Sequence, residues 1–447
     1  MEKYMQELLA QIRCKQAHEL VRREMEGHIE EQICENMANG MEREEAVQEA
    51  IRDMGDPIET GVELDRIHRP RIEWNLVLVV GIISLCSVAI RYVLARDCQM
   101  YGGYSLIEDI GMAGVGIALM GIIYRLDYSI IGYYAKAIGA VFCIAFLMII
   151  FSGTLVNGSR MYMKLGPTSI SPILLLYLYV PIYGAILFQY RNCGKTGLWK
   201  SILWIVIPVC LAYLASNESQ AVVMGVTLSI LLSIAVWKDW FRVSKKKFLI
   251  CYWGVLILLP FLIVGITTKL PVFSGNLNTN GQTYVEYFSD ETYAVQELMK
   301  KILSESAWLG KTTLENLRPL PSAIHTHVLV SIIAYYGSLA AVGVVGVLLL
   351  LTGKIFSVSK HQKNQLGKMM GYGCGLVFFN MIFANVAMNM GVTTELYGDL
   401  PFLSASGSTM LLSYVFIGMV LSIYRYQNIL PTTLGKKRKF RMKIEKV

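Results

Sequence analysis

The chain has 447 residues, 54% of them hydrophobic and 17% charged, with a formal net charge of +8 and a mean hydropathy of +0.46. A soluble enzyme of this length is not so apolar, so the composition excludes that class. Its nine cysteines include no CxxC pair, which removes zinc-finger and thioredoxin-like chemistry. No metal site and no cofactor are expected, and a need for a divalent cation is left open.

Residues 1–70 read as a small amphipathic helical bundle, soluble or lying on a membrane. Leu8, Leu9, Ile12, Val21, Met25, Ile29 and Ile33 recur near helical spacing between charged residues. Asn39-Gly40 is a stop signal. Glu42 to Met54 reads as a further helix with Ala46, Val47, Ala50 and Ile51 on one face. Gly55 closes it and Pro57 follows. His18 and His28 fall on solvated helix surfaces. The charged N-terminus lacks the apolar core of a cleavable signal peptide.

From about Asn75 to Tyr424 the chain is a train of apolar segments. A helix needs about 20 such residues to cross the hydrocarbon core of a bilayer. Spans are expected at 75–95, 106–124, 130–152, 168–189, 199–216, 219–237, 248–267, 326–352, 370–391 and 405–425. The fold class is therefore all-α: a polytopic membrane protein of about ten transmembrane helices. With a cytoplasmic N-terminus, Arg125, Arg191, Lys195, Lys238, Arg242, Lys245, Lys246, Lys247, Lys354, Lys360, Lys363 and Lys368 all fall on the cytoplasmic side. The basic tail, residues 428–447, falls there too. Even span number and charge bias agree, placing both termini in the cytoplasm. The tail reads as an anchor beside anionic lipid, not as a nucleic-acid site.

Residues 268–325 form one large extracytoplasmic loop. Ser274 to Gln282 is rich in Gly and Asn. Thr292 to Ser304 is amphipathic, with Val295, Leu298, Met299 and Ile302 on one face, and reads as an interfacial helix.

Polar residues at the membrane edge are the functional candidates. Asp127 reads as a local partner of Arg125. Asn157, Arg160, Tyr162 and Lys164 follow the third span; the two cations stand on the outer side, against the charge rule, and read either as ordinary loop cations or as a site where Arg would fork onto a pyrophosphate. Glu218 sits in a short outer turn. His325 and His327 open the eighth span; at spacing two they do not share a helix face, so they are not a metal pair. A single imidazole there reads either as a general base, since the unperturbed group has a pKa of about 6.5, or as an interfacial residue with no chemistry. Asn385 and Asn389, one turn apart, line one face of the ninth span and are placed to bond to neighbouring helices. Pro401, Ser404, Ser406, Gly407 and Ser408 make a broken, small-residue entry to the tenth, which allows close backbone approach to a ligand or helix.

These motifs resemble the shape, elongation, division and sporulation (SEDS) family, typified by RodA, FtsW and SpoVE, over roughly residues 72–427. Val156 to Pro167, VNGSRMYMKLGP, is similar to VNGARRWIxLGP. Asn385 to Thr409 aligns without gaps to NIGMVLGLLPVTGIPLPFVSYGGSS. Leu126-Asp127-Tyr128 matches the family's I/L-D-Y, Gln296 and Gly310 echo a Gln and a Gly of the long outer loop, and Pro321 to Val328 resembles PEAHTDFI. Residues 1–70, ending GDPIETGVELDRIHRP, resemble the permease prefix domain, which implies a cytoplasmic regulatory or docking role.

The resemblance implies a bacterial cytoplasmic-membrane protein of peptidoglycan assembly, acting in cell shape, division or sporulation. It would bind lipid II, polymerise glycan strands and partner a class B penicillin-binding protein. Asn157, Arg160, Tyr162, Lys164, Glu218, His325, Asn385, Pro401, Ser404, Gly407 and Ser408 would contact the substrate. This chain departs from the pattern in several places. The proposed catalytic Asp of the family falls on His327, which becomes the candidate base. The Trp of the third-span loop falls on Tyr162. A Glu and a Lys fall on Leu174 and Tyr177, the Asp and Gly of another motif on Glu218 and Gln220, and a turn Gly on Ser406. The departures suit a diverged member, and also a catalytically degenerate scaffold or regulator of a penicillin-binding protein. A lipid-linked precursor transporter is a third reading.

Overall fold

The computed structural model describes residues 1–97, 105–152, 154–156, 159–165, 168–170, 172–214, 218–267, 297–312, 327–392, 398–404 and 406–427. Four helices open the chain: α1 (Glu2–Ala10), α2 (His18–Ala38), α3 (Arg43–Asp53) and α4 (Pro57–His68). Met5, Leu8, Ile12, Val21, Ile29, Ala46 and Ala50 are buried, as their spacing requires. Gly40 and Gly55 take positive φ and end α2 and α3. Pro57 does not simply follow a helix; it is the first residue of α4, behind Asp56, whose carboxylate accepts the Ile58 amide at 2.9 Å. α1 packs on α4, where the Arg13 amide donates to Asp65 at 3.0 Å.

The remaining helices are α5 (Trp74–Asp97), α6 (Leu106–Arg125), α7 (Ser129–Ser152), α8 (Pro172–Gln189), α9 (Gly194–Leu214), α10 (Glu218–Trp237), α11 (Lys245–Thr267), α12 (297–304), α13 (Val328–Tyr336), α14 (Ser338–Lys360), α15 (Gln365–Asn389) and α16 (Gly407–Arg425). Eight of them are long and apolar enough to cross a membrane. With α8 and α11 they correspond one for one to the ten expected spans. α15 and α16 form the centre, while α5, α6 and α7 turn much of their apolar surface outward, as a lipid-facing helix must.

The helices alternate between two ends. At the prefix end Lys354 pairs with Glu73 at 2.7 Å, Lys238 donates to Gln365 at 2.9 Å, and Tyr426 donates to the Arg125 carbonyl at 3.2 Å. Tyr336 donates to Asp97 at the far end. Trp74, Trp199 and Trp237 lie at the prefix-end termini of α5, α9 and α10 and are 68%, 70% and 64% exposed. Such a ring of indoles marks the membrane–water interface.

Four sequence expectations are corrected. The eighth span is not one helix over 326–352. Gly337, at φ 92°, separates α13 from α14, and a Cβ there would stand 2.6 Å from the Trp308 carbonyl oxygen. α14 alone crosses, continuing to Lys360, and the nine-residue α13 is about 13 Å long, too short to span. The bundle also carries a small antiparallel sheet of β1 (Thr154–Val156), β2 (Ser159–Leu165) and β3 (Thr168–Ile170), in the order β1-β2-β3. β3 occupies the first residues assigned to the fourth span. Asp127 caps α7 through the Ser129 amide at 2.8 Å rather than pairing with Arg125. Finally, Met299 and Ile302 of α12 are buried against Val330 and Ala334 of α13, so the apolar face read from the sequence docks on protein.

Candidate functional site

The far end gathers most of the candidates by chain course. β1–β3 link the far ends of α7 and α8; α10 begins there with Glu218; α13 follows His327; and residues 398–404 lead into α16. Arg160, Tyr162 and Lys164 take alternate positions along β2, with Arg160 opposite Leu155 and Lys164 opposite Ser169. Asn157 and His325 lie outside the described residues.

A buried ion pair organises this end. Arg91, six residues before the far-end terminus of α5, is 0% exposed. Its Nε donates to Asp109 of α6 at 2.8 Å. Its Nη1 donates to the carbonyls of Phe402 and Leu403 and to Ser87, whose hydroxyl also donates to Phe402 at 2.8 Å. A guanidinium offers five donors, so it can satisfy several carbonyls of a broken helix entry at once. Pro401-Phe402-Leu403-Ser404 is such an entry. Phe402 has φ 63°, and Ser404 accepts the Leu400 amide at 2.8 Å. The sequence signal for Arg91 is a cation within an apolar run, and Arg91 is not among the candidates drawn from the sequence.

The two asparagines fasten the same region. Asn385 donates to the Gly398 carbonyl at 2.6 Å, and Asn389 donates to the Asn385 carbonyl at 2.8 Å and its side-chain oxygen at 3.1 Å. The Asn389 oxygen accepts the Val330 amide at 3.1 Å, satisfying one of the open donors of the α13 N-terminus. Both asparagines are buried, so they join α13, α15 and the 398–404 turn. Gly407 lies where a Cβ would meet Met112 at 2.8 Å. Beside it stand the hydroxyls of Ser406 and Ser408, 3.3 Å apart. Thr409 donates to Asp399 at 2.7 Å.

His327 precedes α13. Its carbonyl accepts the Ser331 amide at 3.0 Å and hydroxyl at 2.9 Å. Its Nδ1 is buried with no hydrogen-bond partner among the described residues. Burial disfavours the charged imidazole and pushes its pKa below the usual value. Tyr177, where the resemblance places a lysine, is buried with its hydroxyl unpartnered among the described residues.

Residues 69–429 match the FtsW/RodA/SpoVE family, described as "Cell cycle protein". The chain is 25% identical over 361 residues to a probable peptidoglycan glycosyltransferase FtsW of Nitrosomonas europaea, covering 78% of this chain and 90% of that one. The Coxiella burnetii protein of the same name is 25% identical over 373 residues, covering 79% and 96%. Among solved structures, a chain from "Structural coordination of polymerization and crosslinking by a peptidoglycan synthase complex" aligns at TM-score 0.57 and 18% identity, covering 80% of this chain and 99% of its own length. The Thermus thermophilus rod shape determining protein RodA aligns at 0.53 and 17%, covering 80% and 97%. This chain belongs to the FtsW/RodA/SpoVE family of cell cycle proteins.

Proposed function

We propose that this protein works in bacterial peptidoglycan assembly, binding lipid II at its far end and polymerising glycan strands. The family match across 69–429 carries the reading; the polar far end supports it. In the step proposed, the 4-hydroxyl oxygen of an acceptor sugar bonds to the anomeric carbon of a donor. The bond from that carbon to pyrophosphate breaks, undecaprenyl pyrophosphate leaves with the electron pair, and the hydroxyl proton passes to neutral His327. Arg160 and Lys164 of β2 hold the pyrophosphate. The far end then faces outward and the basic loops face the cytoplasm with both termini, as the positive-inside rule requires. The prefix is a cytoplasmic docking or regulatory element, and a class B penicillin-binding protein is the partner.

The test is purified full-length protein with labelled lipid II, with and without the co-expressed transpeptidase. Glycan ladders are expected, and their absence in both arms overturns the polymerase reading. A second reading is a scaffold that holds a penicillin-binding protein without catalysis. It is favoured by the imidazole standing where the resemblance places a carboxylate. Partner capture with no polymer selects it.

A further inference from the structure

We propose that a basic cleft at the prefix end binds a phosphate-bearing anion, and that the bound anion latches the prefix helices to the membrane bundle. The cleft is about 540 Å³ and is lined by Arg66, Ile67, Arg71, His361, Lys363 and Gln427. That volume lies in the ~300–1,000 Å³ range of small-molecule sites. Its walls come from four separate segments: α4, the linker to α5, the turn between α14 and α15, and the residues that follow α16.

Among the described residues, no carboxylate pairs with Arg66, Arg71 or Lys363. The nearest acids in sequence are engaged elsewhere: Asp65 pairs with Arg13 at 3.5 Å and Glu73 with Lys354 at 2.7 Å. Collecting like charges around one cavity costs free energy that an anion recovers. The basic tail Lys436 to Lys443 has the wrong sign to fill it.

The position narrows the chemistry. Arg71 lies three residues before the exposed Trp74, one of the indoles that mark the interface, so the cleft sits at headgroup depth. Guanidinium groups take phosphate oxygens in a fork, and basic pockets between helices take lipid headgroups. The ligand chemistry is a phosphate ester, supplied by an anionic phospholipid or by a soluble phosphorylated molecule. Bound phosphate would hold α4 against the α14–α15 turn, so a signal on the prefix would reach the central helices α15 and α16.

The experiment uses full-length protein in detergent, the Arg66→Gln/Lys363→Gln double variant, and a Lys246→Gln/Lys247→Gln control at the same end. All four positions are polar and outside the core. Thermal unfolding and amide exchange of α4 are followed while short-chain phosphatidylglycerol, short-chain phosphatidylcholine, inorganic phosphate or ATP is titrated. Saturable stabilisation and slowed α4 exchange with phosphatidylglycerol, weakened at least ten-fold in R66Q/K363Q but not in the control, support a lipid source. The same pattern with phosphate or ATP supports a soluble one. No response to any anion, an equal response to phosphatidylcholine, or equal losses in both variants overturns the proposal.

Discussion

Arg91 and Asp109 meet at 2.8 Å with the arginine wholly buried, and the same guanidinium holds the carbonyls of Phe402 and Leu403. One side chain thus joins the first and second spans to the entry of the tenth. Removing one partner of a buried ion pair leaves an uncompensated charge and costs about 3–5 kcal/mol. Arg91→Ala is expected to lower stability by that order. Asp109→Asn should cost less, since the carbonyl partners of Arg91 remain. Thermal unfolding in detergent checks the order, and a cysteine at Ser404 should label faster in the Arg91 variant. Equal melting of R91A and wild type would mean that the pair organises nothing.

Asn389 bears on a different joint. Its side-chain oxygen accepts the Val330 amide, and its nitrogen donates back to Asn385. Asn389→Ala strands a buried donor at the start of α13, a loss of about 1–3 kcal/mol. Because Asn385 shares the network, the double variant with Asn385→Ala should cost less than the sum of the singles. Strict additivity in a double-mutant cycle would show that the two amides act separately.

Most of the ten spans are legible because each is a predominantly apolar run near the length a bilayer demands. Other features were hidden by that same averaging. Arg91 is one cation in a run of apolar residues, and the 326–352 run was already too long for one crossing, with Gly337 marking its break. The strands are written in the alternation of Ser159 to Leu165 between Asn157-Gly158 and Gly166-Pro167, a hairpin pattern that the family motif overlies. Asn385 and Asn389 were found from their one-turn spacing. Their partners, Gly398 and Val330, were not readable, because only the tertiary fold brings those segments together. The prefix-end cleft draws its cations from distant segments and leaves no local signal at all.

The linker carries a pH-dependent contact. Glu73 is held below the usual carboxylate pKa chiefly by its bond to Lys354, with Tyr424 adding to it and burial opposing. A carboxyl with a lowered folded pKa gives stability that is fully present above its ordinary value, near 4.5. That stability is lost as pH falls through the lower folded value. The pair is partly exposed, so its contribution is about 1 kcal/mol or less. Wild type should therefore unfold at a higher temperature than Glu73→Gln at pH 7, and the gap should close as pH drops below the carboxylate range. A gap that widens on acidification would reverse the assignment.

His327 is the sharpest test of chemistry at the far end. Its Nδ1 bonds to nothing among the described residues, so His327→Ala removes no side-chain hydrogen bond seen there and should fold as wild type does. If the neutral imidazole takes the acceptor proton, that variant should lose about 10²–10⁴-fold in polymerisation rate. His327→Asp, which restores a base of another pKa, should recover part of it. Burial already favours the neutral ring, so wild-type activity should hold through neutral pH. It should fall only as pH drops below the ordinary imidazole range, since the protonated ring cannot accept. His327→Asp should keep its rate to lower pH. Rates with labelled lipid II between pH 5 and 8 separate the cases. An unchanged profile in H327A would take the imidazole out of the reaction and leave it as the residue that precedes α13.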